Sequence, residues 1–141
     1  MTRQATKPDV EALAEIGLFR DLRPAALRKI RAAMQPAHFR AGDVIMAKDD
    51  AASWARFYVI LEGSAEVVTA DGRSIALKAG DSFGEISVLD GMPRSATVTA
   101  TSELHSASLS AENLRALLLE EPALTYQLLV QACRRLRSVE F

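Results

Sequence analysis

Residues 83–98 of the chain read FGEISVLDGMPRSATV. This segment places a carboxylate, Glu85, and a guanidinium, Arg94, on one short stretch that glycine and proline residues constrain. A carboxylate can accept hydrogen bonds from sugar hydroxyls, and a guanidinium can pair with a phosphate through parallel N–H donors. The segment therefore predicts a clamp for a small anionic ligand, placed between two strand-like runs.

The backbone of this segment supports the same interpretation. Gly84 permits a positive φ or a close backbone approach, and we expect the ligand rather than a turn to require it. Residues 85–89 can form one helical turn whose free N–H groups favour a phosphate. Pro93 fixes φ just before Arg94, so the guanidinium is presented from a stiff hinge. The alternative, an exposed ion pair between Glu85 and Arg94, would contribute only about 0–1 kcal/mol.

Short strand-like runs surround this segment. They are 44–46, 57–61, 65–69, 75–77, 96–100 and 104–109. Asp71-Gly72 lies between two alternating runs and predicts a tight hairpin. Many short strands separated by turn residues predict a small antiparallel β-barrel or jelly roll.

Helical spacing of apolar residues flanks the β region on both sides. One helix begins near Pro8-Asp9 and ends at Gly17, and a second has Pro24 near its first position. Ser110 predicts the N-cap of a third helix, and Pro122 separates it from a fourth. The predicted class is α+β, mainly β with flanking helices. Its parts are a flexible tail in 1–7 and one domain in 8–141, with helices in 8–35, the barrel in 37–109 and C-terminal helices in 110–138.

Composition limits the classes of function. With 141 residues, 49% of them hydrophobic, the chain suits one globular domain with a substantial core. A net charge of −1 argues against a basic nucleic-acid surface, and 6% aromatic residues argue against a stacking platform for single strands. No apolar run approaches the ~20 residues that span a bilayer, and the N-terminus lacks the apolar core of a secretory signal. We expect a cytoplasmic protein without membrane insertion.

The order of residues in 83–98 resembles the phosphate-binding cassette of the cyclic nucleotide-binding domain family, of the catabolite activator protein and protein kinase A regulatory subunit type. Phe83-Gly84-Glu85 and Pro93-Arg94-Ser95-Ala96-Thr97-Val98 carry the resemblance. Ala41-Gly42-Asp43-Val44-Ile45 and Tyr58-Val59-Ile60-Leu61-Glu62-Gly63 are similar to early strands of that family. The likeness extends from about residue 13 to residue 137.

The resemblance implies a sensor module, not an enzyme, that needs no cofactor. In that family the cassette glutamate accepts the ribose 2′-hydroxyl and the arginine pairs with the cyclic phosphate, which gives these roles to Glu85 and Arg94. Ser95 follows the arginine, where members that select cyclic GMP (cGMP) often carry threonine, so we expect cyclic AMP (cAMP) to be preferred over cGMP. The implied ligand-binding residues are Phe83, Gly84, Glu85, Ile86, Ser87, Arg94, Ser95, Ala96, Thr97 and Arg135.

Arg135 enters this set as the lid, because the C-terminal helix covers the base in that family. A solvated arginine at a helix end is the alternative, and Phe141 is a remote second candidate. The implied mechanism is a population shift, in which the ligand orders the cassette and the C-terminal helices move against the barrel. The apolar stripe of the last helix suits either a lid or a homodimer seam.

Two isolated histidines raise the alternative of a cupin-like metalloenzyme. Such a site needs clustered ligands, whereas His38 and His105 are far apart in the sequence, so we expect no metal site. Cys133 is the single cysteine. It excludes an internal disulfide, and its apolar neighbours predict a buried, inert thiol.

A DNA-binding regulator is the second alternative. Members of the catabolite activator protein family append a helix-turn-helix domain after the long C-terminal helix, and this chain ends at Phe141, where that domain would begin. Residues 134–137 form a basic run too short to read DNA, so we expect no direct DNA binding by this chain. Two alternative interpretations stay open. One is the sensory part of a transcription regulator or channel, and the other is a degenerate cassette that serves as a protein-interaction domain.

Overall fold

The computed structural model describes residues 7–52 and 55–138, and in these the strands form two four-stranded antiparallel sheets. The strands are β1 (Gln35–Phe39), β2 (Val44–Met46), β3 (Arg56–Glu62), β4 (Ser64–Thr69), β5 (Ser74–Lys78), β6 (Ser82–Phe83), β7 (Ala96–Ala100) and β8 (Leu104–Ser110). The first sheet has the order β1-β8-β3-β6, and the second has the order β2-β7-β4-β5. The predicted class is confirmed, as a jelly-roll-like pair of sheets rather than one closed barrel.

Five α-helices flank the sheets in the described residues. They are α1 (Val10–Ala14), α2 (Pro24–Ala33), α3 (Glu85–Asp90), α4 (Ala111–Glu120) and α5 (Pro122–Arg137). The Asp9 carboxylate caps α1 by accepting from the N–H of Ala12 at 2.8 Å, and the Ser110 hydroxyl caps α4 by accepting from the N–H of Asn113 at 3.1 Å. Neither α5 nor any other described helix is long and apolar enough to cross a bilayer.

Local turn chemistry explains the pairing of β4 with β5. The predicted hairpin at Asp71-Gly72 joins β4 to β5, and Gly72 adopts a φ of +85° that suits glycine. The boundary after α2 differs from the prediction, because residue 35 belongs to a strand rather than a helix. Pro36 explains this difference, since it disfavours the helical conformation of Gln35. β1 tolerates the proline because, among the described strands, it is an edge strand that pairs only with β8.

Two hydrophobic clusters divide the core and fix the position of the cassette. One lies between the first sheet and the helices, and it includes Phe57 and Val59 of β3 together with Val88 of α3, all fully buried. The other lies between the two sheets around Ile60 and Phe83. A buried side chain of this size contributes about 1.5–3 kcal/mol, so Val88 anchors the cassette to the helical cluster.

Two predictions about reactive side chains are wrong. Cys133 is exposed rather than buried, because α5 buries Leu124 and Leu128 and residue 133 lies about 140° around the helix from Leu128. His38 and His105 do not stand alone either. They are direct partners in the β1–β8 register, with ring centroids 4.4 Å apart, because antiparallel pairing joins residues that are distant in the sequence.

The predicted flexible tail lies outside the described residues except for Lys7. The remote lid candidate Phe141 also lies outside them. The first helix ends at Ala14, earlier than predicted, and Gly17 instead begins a 3-10 turn that extends to Phe19.

Candidate functional site

A cavity of about 500 Å³ lies between the second sheet, α3 and the C-terminal half of α5. We call it the ligand cavity. Nine of the ten predicted site residues line it: Phe83, Gly84, Glu85, Ile86, Ser87, Arg94, Ser95, Ala96 and Arg135. Thr97 is not part of the lining, and its hydroxyl instead accepts from the N–H of Lys48 at 3.0 Å. The cavity volume is in the range of small-molecule sites.

The entrance to the cassette is held in place by packing within the chain. Phe83 is buried and stacks on Tyr58, with ring centroids 5.1 Å apart. Gly84 has a φ of +98°, and a Cβ there would lie 2.4 Å from the carbonyl oxygen of Arg56. This contact is far inside the van der Waals limit, so the fold itself requires glycine at 84. The expectation that the ligand sets this requirement therefore needs correction.

The Arg94 guanidinium is fixed by two backbone carbonyls. Its Nη1 donates to the oxygen of Gly84 at 2.8 Å, and its Nη2 donates to the oxygen of Arg56 at 2.7 Å. A guanidinium has five N–H donors, so these two bonds leave three for other partners. The same contacts orient the group beside the cavity before any ligand arrives.

Arg94 is also a buried cation without a carboxylate partner in 7–52 or 55–138. Burial lowers the pKa of its guanidinium, and the nearby Tyr58, Asp50 and Glu85 oppose this shift. An arginine stays protonated despite such a shift, and a buried charge without a counterion is costly. An anion in the cavity would supply the missing charge.

Glu85 pairs with Arg135 of α5, not with Arg94. The Glu85 side chain is 5% exposed, and Nη1 of Arg135 donates to its Oε1. Nη2 of Arg135 donates to the carbonyl oxygen of Ser82, and Nε2 of Gln131 donates to the Ser82 hydroxyl at 2.9 Å. Two residues one helical turn apart on α5 therefore tie this helix to the start of the cassette.

Ser87 carries a second unsatisfied group. It is 1% exposed and lines the ligand cavity, and its hydroxyl has no hydrogen-bond partner among the residues that the structure describes. Buried polar groups are nearly always paired, so this orphan hydroxyl calls for a partner from outside the chain. With Arg94, it gives the cavity one cation and one donor that a phosphate would satisfy.

Comparison with known sequences identifies the family. Residues 36–121, which include the whole cassette, match the sequence model of the cyclic nucleotide-binding domain. The chain belongs to this family.

Relatives of this cyclic nucleotide-binding domain serve different effectors. A CRP-like cAMP-activated global transcriptional regulator of Mycobacterium tuberculosis is 31% identical over 132 residues, which cover 90% of this chain and 58% of the relative. A cyclic nucleotide-gated potassium channel of Rhizobium etli is 37% identical over 112 residues, which cover 79% of this chain and 31% of the channel. The crystal structure of Thermus thermophilus catabolite activator protein gives a TM-score of 0.76 at 26% identity, covering 88% of this chain and 60% of that one. The chain thus spans less than two thirds of the length of each.

The cyclic nucleotide-binding domain also has apolar cavity walls that the sequence reasoning missed. They come from the second sheet, α3 and α5, and comprise Met46, Val67, Ile75, Leu77, Leu89, Val98, Ala132 and Leu136. Apolar walls around a few polar groups are typical of sites that bind small molecules. The alternation of apolar residues in β4 and β5 is the sequence pattern that predicts these walls, because every second residue of a strand faces the same side.

Proposed function

We propose that the chain binds a cyclic nucleotide, with cAMP preferred over cGMP, and acts as a regulatory sensor rather than an enzyme. The observation that carries this proposal is the buried Arg94 guanidinium, which lacks a carboxylate partner in the described residues and lines the ligand cavity. The cyclic phosphate supplies its counterion. The family membership and the matched cassette support the choice of ligand class.

The other polar groups of the cavity then take complementary roles. Glu85 accepts the ribose 2′-hydroxyl, because a carboxylate has two oxygens and its ion pair with Arg135 engages only one of them. The Ser87 hydroxyl and the backbone N–H groups of the first turn of α3 donate to the phosphate. The purine lies between the apolar walls, with Ser95 at its edge.

Titration calorimetry with cAMP and cGMP tests this proposal and ranks the two bases. We expect binding of both and tighter binding of cAMP, and we expect Ser95→Thr to move the ratio toward cGMP because family members that select cGMP often carry threonine at this position. Ser95→Ala serves as the control for loss of the hydroxyl. A cGMP affinity at least tenfold tighter than that of cAMP would contradict the preference, and no binding of either by folded protein would contradict the function.

Ser87→Ala should weaken nucleotide binding without destabilising the free protein. A hydrogen bond to a charged group contributes about 1.5–3 kcal/mol, which corresponds to a loss of affinity of roughly 10- to 150-fold. The free protein loses only an unpaired hydroxyl, so its free energy of unfolding should stay equal or rise. Calorimetry and urea unfolding measure the two quantities.

Ser106→Ala is the matched control for that prediction. Ser106 is equally buried, but its hydroxyl donates to the carbonyl oxygen of Ala37 at 3.1 Å. Its replacement should lower the free energy of unfolding and leave nucleotide affinity unchanged. Equal affinities of Ser87→Ala and wild type would remove the hydroxyl from the phosphate site.

We further propose that ligand binding moves α5 against the sheets through Arg135. The ribose hydroxyl and Arg135 share the Glu85 carboxylate, so occupancy of the cavity alters the contact that docks the helix. Ile86 and Leu89 of α3 are each 52% exposed and offer an apolar surface that a moving helix can cover.

Amide hydrogen exchange of α5 tests this coupling. We expect the nucleotide to change the protection of α5 in wild type and in Arg134→Gln, where the replaced arginine is exposed. In Arg135→Gln the change should be largely lost, because the link to Glu85 and Ser82 is gone. Identical exchange of α5 with and without ligand in the wild-type protein would contradict the mechanism.

The chain spans 58% of the transcriptional regulator and 31% of the potassium channel to which it is similar. We propose that this chain is the cytoplasmic sensory part of a transcription regulator or of a channel, because it has relatives of both kinds. Tyr126 and Leu129 of α5 are 65% and 60% exposed. They are the candidate surface for a homodimer or an effector.

A further inference from the structure

We propose that His38, Glu103 and His105 form a binding site for a divalent transition-metal ion such as Zn²⁺. We call this group the HEH cluster. It lies where the edge strand β1 pairs with β8, and none of its residues lines the ligand cavity. The proposal is therefore independent of nucleotide binding.

The geometry brings three ligand atoms together. Nε2 of His38 lies 2.8 Å from Oε1 of Glu103, and one ligand atom from each of the three residues lies within 4.8 Å of the others. In a tetrahedral site, with zinc about 2.0–2.2 Å from nitrogen and oxygen, ligand atoms lie roughly 3.3–3.5 Å apart. The one 2.8 Å separation is shorter than this value and no separation exceeds 4.8 Å, so side-chain rotations alone can bring the three atoms to a tetrahedral arrangement.

The backbone holds the cluster in place. His38 and His105 are register partners on paired strands, which fixes the separation of their Cα atoms. The carbonyl of Glu103 accepts from the Ser102 hydroxyl at 3.0 Å, and it packs so closely on Gly63 that a Cβ there would lie 2.2 Å away. Only the side chains have to adjust, so the ordering cost of metal binding is small.

The ligand set decides the class of metal. Two imidazoles and one carboxylate suit zinc and neighbouring transition metals, whereas Ca²⁺ and Mg²⁺ prefer all-oxygen sites. The His38 side chain is 31% exposed and that of Glu103 is 69% exposed, so an ion can enter directly from solvent. Beside His105, a cavity of about 460 Å³ that Glu62 and Glu15 also line leaves room for water ligands.

A metal ion bound to the HEH cluster would cross-link the edge strand β1 to β8. β1 follows α2 and pairs with no strand except β8 in residues 7–52 and 55–138, and a metal that joins His38 to His105 adds a link across that pairing. Because an ion that binds only the folded state stabilises it by mass action, Zn²⁺ should raise the melting temperature.

The test is a Zn²⁺ titration of the untagged full chain in a Cys133→Ala background, since an exposed thiol competes for zinc. The chain contains only two histidines, so every imidazole signal in an NMR spectrum reports on the cluster. We expect saturable 1:1 binding, shifts of both imidazoles and a higher melting temperature. Mg²⁺ at the same concentration should produce none of these.

Variants identify the ligands. His38→Ala and His105→Ala should each lose more than the roughly 10- to 100-fold in affinity that second-shell changes cause. Glu103→Gln alters an exposed carboxylate without touching either strand, and it should also weaken binding. Glu66→Gln replaces an exposed carboxylate on the other sheet and should bind like the parent. Zn²⁺ affinity unchanged in Glu103→Gln or in either histidine variant, or no saturable binding by folded protein, would overturn the proposal.

Discussion

Arg94→Ala should abolish most cyclic nucleotide binding. Truncating one partner of a buried, hydrogen-bonded charge pair costs about 2–5 kcal/mol, which corresponds to roughly 30- to several-thousand-fold in affinity. We expect the loss of affinity to lie in the upper part of this range, because Arg94 is buried and no carboxylate in the described residues pairs with it. Calorimetry with cAMP measures the loss.

Arg94 also supports the free fold, so stability must be measured alongside affinity. The carbonyl oxygens of Gly84 and Arg56 each lose one charged donor in the variant, and a hydrogen bond to a charged group contributes about 1.5–3 kcal/mol. Urea unfolding reports this cost separately and establishes the concentration range in which the variant is folded.

Two further substitutions make the result specific. Arg94→Lys keeps the charge but loses the paired donors, so its affinity should fall between those of wild type and Arg94→Ala. Arg40→Ala removes an exposed arginine and should change neither affinity nor stability. If folded Arg94→Ala bound cAMP within about twofold of wild type, the phosphate role of Arg94 would be wrong.

The sequence was most informative where neighbours along the chain determine the structure. The hairpin at Asp71-Gly72, the cap at Ser110 and the helical turn after Gly84 each depend on a few adjacent residues with restricted φ or a local hydrogen bond. Such preferences act within a short window and do not depend on the rest of the fold. This is why the flanking helices and six of the eight described strands could be predicted in order.

The site was less predictable because its contacts join distant segments. Arg94 donates to the carbonyl of Arg56, Glu85 pairs with Arg135, and His38 meets His105, and each contact depends on how strands and helices pack. Residue types alone predicted functional roles for Arg94 and Glu85. Residue types could not show that backbone carbonyls hold Arg94 or that a side chain of α5 holds Glu85.

These contacts imply that the cassette is organised before the ligand arrives. The carbonyls that orient Arg94 and the packing that fixes Gly84 belong to the chain itself. Ordering a loop on binding would reduce affinity, so preorganisation of this kind favours tight binding. We therefore expect the response to the ligand in α5, which docks on the cassette through the side chains of Arg135 and Gln131.

Gly84→Ala should destabilise the whole domain. Alanine at a φ of +98° is strained by about 1–3 kcal/mol, and its Cβ would also lie 2.4 Å from a backbone oxygen of β3 that cannot move without disturbing the first sheet. Overpacking adds about 1–3 kcal/mol or more. The expected loss of about 2–6 kcal/mol is a large part of the 5–15 kcal/mol that holds a typical domain folded.

Gly80→Ala separates the two causes of that loss. Gly80 has a similar φ of +94°, but nothing lies within 4 Å of the position of its Cβ. Its substitution should therefore cost only the backbone strain, and urea unfolding of both variants isolates the clash as the difference. A Cβ at position 84 would also lie 3.2 Å from Nη1 of Arg94. Gly84→Ala should therefore lose cAMP affinity, whereas Gly80→Ala should keep it. Equal unfolding free energies for the two variants would mean that β3 yields to the methyl group, and would contradict the steric clash with the carbonyl oxygen of Arg56.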